Sequence, residues 1–240
     1  MHFRLITYNI HKGIGGLDRR YNLDRIVDVL GHYRPDIVFL QEVDENVSRS
    51  KFDRQVGQLA DRLAFPHSRN QATFSVQQGH YGNAILSRFP LGNSIDLDLR
   101  VSIKKPRRAL ITQASIPIDG ETQSVQLCCT HLGLSGFERS VQIRRIVQHK
   151  TLQQFAVPCI IGGDFNDVWS EHGRKHLEPV GFQRAGKSIK TFPAAWPFLS
   201  LDGIYYRGHL RLVDSLAGRA EPSRTASDHL PLIADFALTH

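Results

Sequence analysis

The run Cys159-Ile160-Ile161-Gly162-Gly163-Asp164-Phe165-Asn166-Asp167 constrains the fold more than any other stretch of the chain. Pro158 bounds it on one side, and the apolar residues that follow have the continuity of a strand covered on both faces. Gly162 and Gly163 remove two side chains, which lets backbone approach a ligand closely. Asp164 and Asn166 sit two apart, so on an extended chain both side chains point the same way, about 6.5–7 Å apart at Cα. One phosphate, or one metal-bound water, would touch both. In isolation the same residues read as a strand followed by an Asp/Asn turn.

Other segments repeat the arrangement of an apolar strand delivering a polar residue. Phe3 to Ile10 alternates so that Leu5, Thr7 and Asn9 share a face. The loop Gly13-Ile14-Gly15-Gly16 has Asp18 where a dinucleotide-binding fingerprint needs its third glycine, so that reading is discarded. Asn22-Leu23-Asp24 opens a helix that carries Ile26, Val27 and Leu30 at helical spacing until Pro35 stops it. Asp36 to Val43 is a continuous apolar strand that ends at the carboxylate of Glu42. Val56, Leu59 and Leu63 predict a second helix, after which the chain turns β-rich. Ala84-Ile85-Leu86 reads as a short buried strand introduced by His80-Tyr81-Gly82-Asn83. Leu110 to Ile118 and Val125 to Thr130 form a hairpin around Asp119-Gly120 and deliver His131. Phe137 to Phe155 reads as one helix with Ile143, Ile146, Val147 and Phe155 facing in. Three closing strands follow, with Asp202 just before the first and Ser227-Asp228-His229 introducing the last. Without repeats, low-complexity tracts or linkers, residues 1–240 are expected to form one domain.

Composition narrows the function classes. The 240 residues are 41% hydrophobic and 22% charged, which is ordinary for a globular core and argues against disorder. A net charge of +7 and an isoelectric point near 9.5 favour anionic partners: nucleic acid, phosphorylated metabolites or lipid head groups. The densest basic segment is Arg100, Lys104, Lys105, Arg107 and Arg108, either a solvated loop or a phosphate contact. Three cysteines, two of them adjacent in a strand, offer neither a disulfide framework nor a CxxC zinc site, so a reducing compartment is expected. The first strand begins at once, leaving no room for a signal peptide, and no apolar run approaches the roughly 20 residues of a membrane span. The expectation is a soluble, cytoplasmic monomer.

Polar residues at so many strand ends are hard to obtain by chance, and such ends are where sites assemble in layered folds. The motifs Thr7-Tyr8-Asn9-Ile10, Pro35-Asp36-Ile37-Val38-Phe39-Leu40-Gln41-Glu42-Val43, Gly82-Asn83-Ala84-Ile85-Leu86-Ser87-Arg88, Thr130-His131-Leu132, Gly163-Asp164-Phe165-Asn166, Leu201-Asp202-Gly203-Ile204 and Ser227-Asp228-His229-Leu230-Pro231 together resemble the endonuclease/exonuclease/phosphatase family, across nearly the whole chain. The resemblance implies an α/β fold, a four-layer α/β/β/α sandwich of two mixed, largely antiparallel sheets flanked by helices, as in deoxyribonuclease I. It also implies Mg²⁺-dependent hydrolysis of phosphate esters, with Mn²⁺ as a substitute.

The chemistry of the residues agrees. Mg²⁺ takes hard oxygen ligands and keeps several waters, so it needs only one or two carboxylates. Glu42 is the best ligand, with Asn9 and Asp228 contributing directly or through water. Asp164 orients and deprotonates the attacking water, and Asn166 donates to the phosphate or the metal shell. His229 with Asp202 forms a carboxylate-oriented imidazole dyad, and His131 donates to a phosphate oxygen or assists the leaving group. Lys12, Tyr81, Asn83, Arg108 and Phe192 are candidate substrate contacts. Each residue also has a plainer reading: backbone bonding for Asn9, surface acids at Glu42 and Asp202, a satisfied core histidine at 131, a turn residue at 228, core packing for Phe192.

The substrate is less constrained. Abasic-site endonucleases carry a tyrosine where this chain has His131, whereas non-specific deoxyribonucleases and sphingomyelinases share the histidine. The Pro-Ala-Trp-Cys-Asp-Arg segment of inositol polyphosphate phosphatases is missing near Asp202; Thr191-Phe192-Pro193 and Trp196-Pro197 stand there instead. A phosphodiesterase acting on nucleic acid therefore leads. A phospholipid or sphingomyelin phosphodiesterase with peripheral lipid contact is the alternative, followed by a phosphomonoesterase. A non-catalytic phosphate-binding module would require a missing chemical group, and every expected one is present.

Overall fold

The computed structural model describes residues 1–101 and 103–239. Among the described residues, twelve strands form two six-stranded sheets. The first sheet contains β1 (His2–Asn9), β2 (Ile37–Glu45), β3 (His67–Val76), β4 (Gly79–Ser87), β11 (Leu210–Ala217) and β12 (Leu232–Leu238), in the order β11-β12-β1-β2-β4-β3. The second contains β5 (Ile95–Asp98), β6 (Arg108–Ile118), β7 (Glu121–His131), β8 (Cys159–Asp164), β9 (Gln183–Arg184) and β10 (Asp202–Arg207), in the order β5-β6-β7-β8-β10-β9. Each sheet has one parallel pair at its centre, β1 with β2 and β7 with β8; all other pairs are antiparallel. A parallel pair needs a crossover, supplied by α1 (Asp24–Tyr33) in the first case and α3 (Gly136–Gln148) in the second. The other α-helices among the described residues are α2 (Gln55–Arg62), α4 (Glu171–Leu177) and α5 (Ser223–Ala226).

The layering follows from alternation. Leu5, Phe39, Cys129 and Ile160 point between the sheets into one core, joined there by Phe3, Leu127, Ile204 and Phe236. Their neighbours Ile6, Val38 and Leu40 point outward against Ile26 and Leu30 of α1 and Leu59 of α2. Cys128 and Ile161 likewise face Ile143 and Ile146 of α3 and Leu177 of α4. Strands with two covered faces must be apolar at every position, which is why β2 and β8 read as continuous runs. The result is the four-layer α/β/β/α sandwich.

Several local expectations change. The helix expected from Phe137 to Phe155 stops at Gln148, and Phe155 is exposed, its ring 4.3 Å from the Arg207 guanidinium, which also lies 4.5 Å from Phe182. Strand β4 is longer than expected, and β3 pairs along most of it. Glu42 is not at a strand end: β2 runs on to Glu45, and the register shift between Leu40 and Val43 marks a bulge. Glu42 sits in that bulge with φ of 57°. A bulge re-aims the side chain it carries, here out of the ladder towards the gap between the sheets' ends.

Candidate active site

Parallel pairing puts the C-terminal ends of β1, β2, β7 and β8 at one end of the sandwich, and the antiparallel partner of β8 begins there too. His131 and Asp202 are both in register with Asp164. Gly163, with φ of 150°, lets β8 arrive there: a Cβ would stand 1.8 Å from the Thr130 carbonyl oxygen.

Asp164, 2% exposed, is the hub. Its Oδ2 accepts from Nδ2 of Asn9 across the two sheets at 3.1 Å. The Nε2 atoms of His131 and His229 approach the same oxygen at 3.6 and 3.7 Å. Its Oδ1 accepts the backbone N–H of Asn166 at 2.9 Å. That bond closes an Asx turn, and Asn166 has φ of 49°, so the extended spacing expected for Asp164 and Asn166 does not hold. Instead Nδ2 of Asn166 donates to the Leu132 carbonyl at 3.0 Å and ties the end of β8 to that of β7.

The dyad expected at 202 and 229 forms. Nδ1 of His229 lies 2.8 Å from Oδ2 of Asp202, which also accepts from Oγ1 of Thr191 at 2.5 Å. Burial works against charge on His229, but Asp202, Asp164 and Asp228 outweigh it and raise its pKa to about 10. His131 goes the other way: burial first, then Arg107, push it down to about 4, against the pull of Asp164 and Glu42. Two imidazoles on one carboxylate are thus driven apart, one towards the cation and one towards the neutral form, the pattern of an acid–base site. Oδ1 of Asp202 and Nδ1 of His131 are buried without a protein partner.

Glu42 forms a second corner. Its carboxylate is paired with the Lys12 ammonium, which stands 5.7 Å from the Tyr81 ring centroid. Burial alone would raise the Glu42 carboxyl; His131 in its protonated form, the ammonium of Lys12 and His11 hold it down, to about 2. His11, Lys12, Glu42 and Asn166 are all non-glycine residues with positive φ. Such backbone costs about 1–2 kcal/mol per residue and is held here by the surrounding hydrogen bonds. Asp228 is half-buried, with Oδ2 3.9 Å from Nε2 of His11.

The donor set fits a hard divalent cation. Glu42, Asn9 and Asp228 offer only oxygen, and Glu42 already holds a cation in the form of Lys12. Asp164, Asp202 and His229 also bring ligand atoms within 4.8 Å of one another. There, however, His229 is oriented by Asp202 and favours its protonated form, which has no lone pair for a metal.

The expected substrate contacts separate into two groups. Lys12 and Tyr81 line a cavity of about 190 Å³ with Glu42, Arg49, Phe74, Lys105, Pro106 and Arg107. Asn83 does not reach it as a free group: Nδ2 donates to Oε1 of Gln71 at 3.1 Å and to the Arg108 carbonyl at 3.2 Å. Arg108 points towards Asp96, 3.9 Å away, and its neighbour Arg107 faces the site instead. Phe192 packs on the His229 ring at 4.9 Å and shapes the dyad's wall. Sequence reasoning missed His11 and Thr191 as members of the site, and left Arg107 between a solvated loop and a phosphate contact, of which its place on the cavity wall favours the second. His11 follows Asn9 by two residues and belongs to the basic count of that loop; Thr191 has no sequence signal, because only the fold carries it to Asp202.

The endonuclease/exonuclease/phosphatase family model matches residues 6–229. The chain is 32% identical to the uncharacterized protein YbhP of Escherichia coli K12 over 254 residues, covering 98% of this chain and 96% of that one. Among solved structures, an endonuclease/exonuclease/phosphatase from Beutenbergia cavernae superposes with a TM-score of 0.80 at 20% identity, covering 99% of this chain and 72% of that one. The human nocturnin catalytic domain with bound sulfate gives 0.75 at 24%, covering 99% and 95%. Members of this superfamily are generally phosphoester hydrolases. With its two central sheets and a site at their shared end, this chain belongs to the endonuclease/exonuclease/phosphatase family.

Proposed function

We propose that the protein is a divalent-metal-dependent phosphodiester hydrolase whose substrate is nucleic acid, working as one domain and as a monomer. The observation that carries this reading is the contact of Asn9 with Asp164 across the sheets, which joins the Glu42 corner to the dyad of His229 and Asp202. Glu42, with Asn9 and Asp228, would hold Mg²⁺ or Mn²⁺. When bound, the cation supplies charge neutralisation at a phosphoryl oxygen.

The chain's own residues do the rest. Asn9 and Asp164 hold a water, and Asp164 takes its proton as the water oxygen bonds to phosphorus. The bond from phosphorus to the leaving oxygen breaks on the opposite side, and that oxygen departs as an alkoxide that takes a proton from solvent, while Asp164 returns its proton to solvent. Protonated His229, fixed by Asp202, donates to a non-bridging oxygen where charge gathers, and His131 and Asn166 flank the same space. Lys105 and Arg107 give the anionic substrate a basic wall. No helix among the described residues is long and apolar enough to cross a membrane. The reading extends to a cytoplasmic location.

The test is hydrolysis of single- and double-stranded DNA, abasic DNA, RNA, sphingomyelin and phosphoinositides with Mg²⁺, Mn²⁺ or chelator. Metal-dependent cleavage of nucleic acid is expected; cleavage of lipid alone overturns the substrate, and full activity in chelator overturns the metal.

A further inference from the structure

The cavity that holds Glu42 does not end at the basic wall. Lys105 and Arg107 are also lining residues of a second, larger cavity of about 410 Å³, whose other walls are Lys104, Gly133, Leu134, Ser135 and Glu138. Its size lies within the range of about 300–1,000 Å³ typical of small-ligand sites. Two loops build it, one from the β5–β6 connection and one from the turn between β7 and α3. Both leave strand ends at the same end of the sandwich as Asp164.

Its walls pair cations with apolar surface. Leu134 on that wall is 75% exposed; outside the lining, Phe137 at the start of α3 is 71% exposed and Ile103, next to Lys104 in sequence, fully exposed. Core packing does not account for side chains left this bare. The single acid is already engaged: Oε2 of Glu138 accepts the N–H and hydroxyl of Ser135, at 3.3 and 2.8 Å, as a capping box of α3. The loop is held from below, with Gly133 N–H donating to Gln142 Oε1 at 2.8 Å and Arg139 Nη1 to the Leu134 carbonyl at 2.5 Å. The apolar edge is therefore presented on a fixed turn.

We infer that this second cavity is a subsite for the nucleotide flanking the scissile phosphate of a single-stranded nucleic acid. The inference rests on the reading of the first cavity as the seat of hydrolysis. Lys105 and Arg107, shared by both cavities, take the phosphate that joins the two nucleotides. Lys104 takes the next, and Leu134 with Phe137 receives the base face. A single strand offers base faces to apolar side chains, whereas a duplex buries them in its stack and shows such a wall only phosphate and sugar. A concave pocket whose wall continues into the Glu42 cavity suits a chain that threads from one to the other, and vesicle binding separates that occupant from a bilayer met by the same exposed side chains.

The test compares the parent with Leu134→Ser/Phe137→Ser and Lys104→Ala/Lys105→Ala variants. Substrates are an oligothymidylate, the same sequence as a duplex, and bis(4-nitrophenyl) phosphate, which has no flanking nucleotide; binding to vesicles of phosphatidylglycerol is measured in parallel. The expected result is a fall of about tenfold or more in kcat/KM on the oligothymidylate for the Leu134/Phe137 variant, with the small diester hydrolysed at the parent rate. Equal losses on the single strand, duplex and small diester overturn the subsite, as does no loss at all. Vesicle binding abolished by the same substitutions, with cleavage of the single strand unchanged, overturns it in favour of a lipid surface. A parent enzyme that cleaves the small diester but no polynucleotide contradicts the nucleic-acid reading itself, a failure distinct from that of the subsite.

Discussion

The two corners of the site are built on opposite principles. Asp164, Asp202 and His229 are nearly sealed from solvent and held by hydrogen bonds to Asn9, Asn166 and Thr191. Glu42 stands on a bulge, paired with a lysine beside a cavity with a basic rim. On the proposed reading, the first corner moves a proton along a fixed path. On the same reading the second exchanges one cation for another: the ammonium of Lys12 has a flexible stem that can swing away, whereas a buried imidazole oriented by a carboxylate cannot. A site that must bind a metal and a charged substrate needs one corner that yields and one that does not.

Substitutions can break that comparison. The largest effect is expected for Asp164→Asn, which keeps shape and removes the acceptor of the water's proton: kcat should fall by about 10³-fold or more while the thermal transition stays near that of the parent. Next, His229→Ala and Asp202→Asn should each lower kcat by about 10²-fold or more, and the double variant should be no worse than His229→Ala, since the two act as a unit. Additive losses would show that they do not. Glu42→Gln should leave a smaller deficit that added Mg²⁺ repairs, with half-maximal activity moving to higher metal concentration by about tenfold or more. Gly163→Ala tests the scaffold: the Cβ meets a carbonyl at 1.8 Å, so urea unfolding should show a loss of about 2–4 kcal/mol.

The two corners also differ in how much the sequence discloses. Asp164 was visible because β8 is apolar on both faces and stops at glycines, and Asp202 and Asp228-His229 because they flank strands of the same kind. The double-faced burial that makes a strand continuous is a one-dimensional signal. The four-layer arrangement itself came through the family resemblance rather than from periodicity. Glu42 was found, but its bulge was not: a bulge is a mismatch with a partner strand, here β4, and register across strands is invisible in either strand alone. The spacing of Asp164 and Asn166 predicts an extended chain because nothing local reports that φ turns positive after the strand ends. Phe155 reads as helical because its spacing continues that of Ile143 and Ile146, yet α3 ends at Gln148 and the ring packs on Arg207 instead. Arg108 and Arg107 are adjacent and chemically alike; which one faces the site depends on the pleat of β6, whose first residue is Arg108.

The measurement that tests the division of labour most directly is a Mg²⁺ titration of phosphodiester hydrolysis by the parent, Glu42→Gln and Asp164→Asn. Glu42→Gln should approach the parent plateau only at higher metal concentration, and Asp164→Asn should reach half-saturation at the parent's concentration on a plateau lowered by about 10³-fold. An Asp164→Asn enzyme that regains the parent rate with added metal, or a Glu42→Gln enzyme with an unshifted titration, would contradict it.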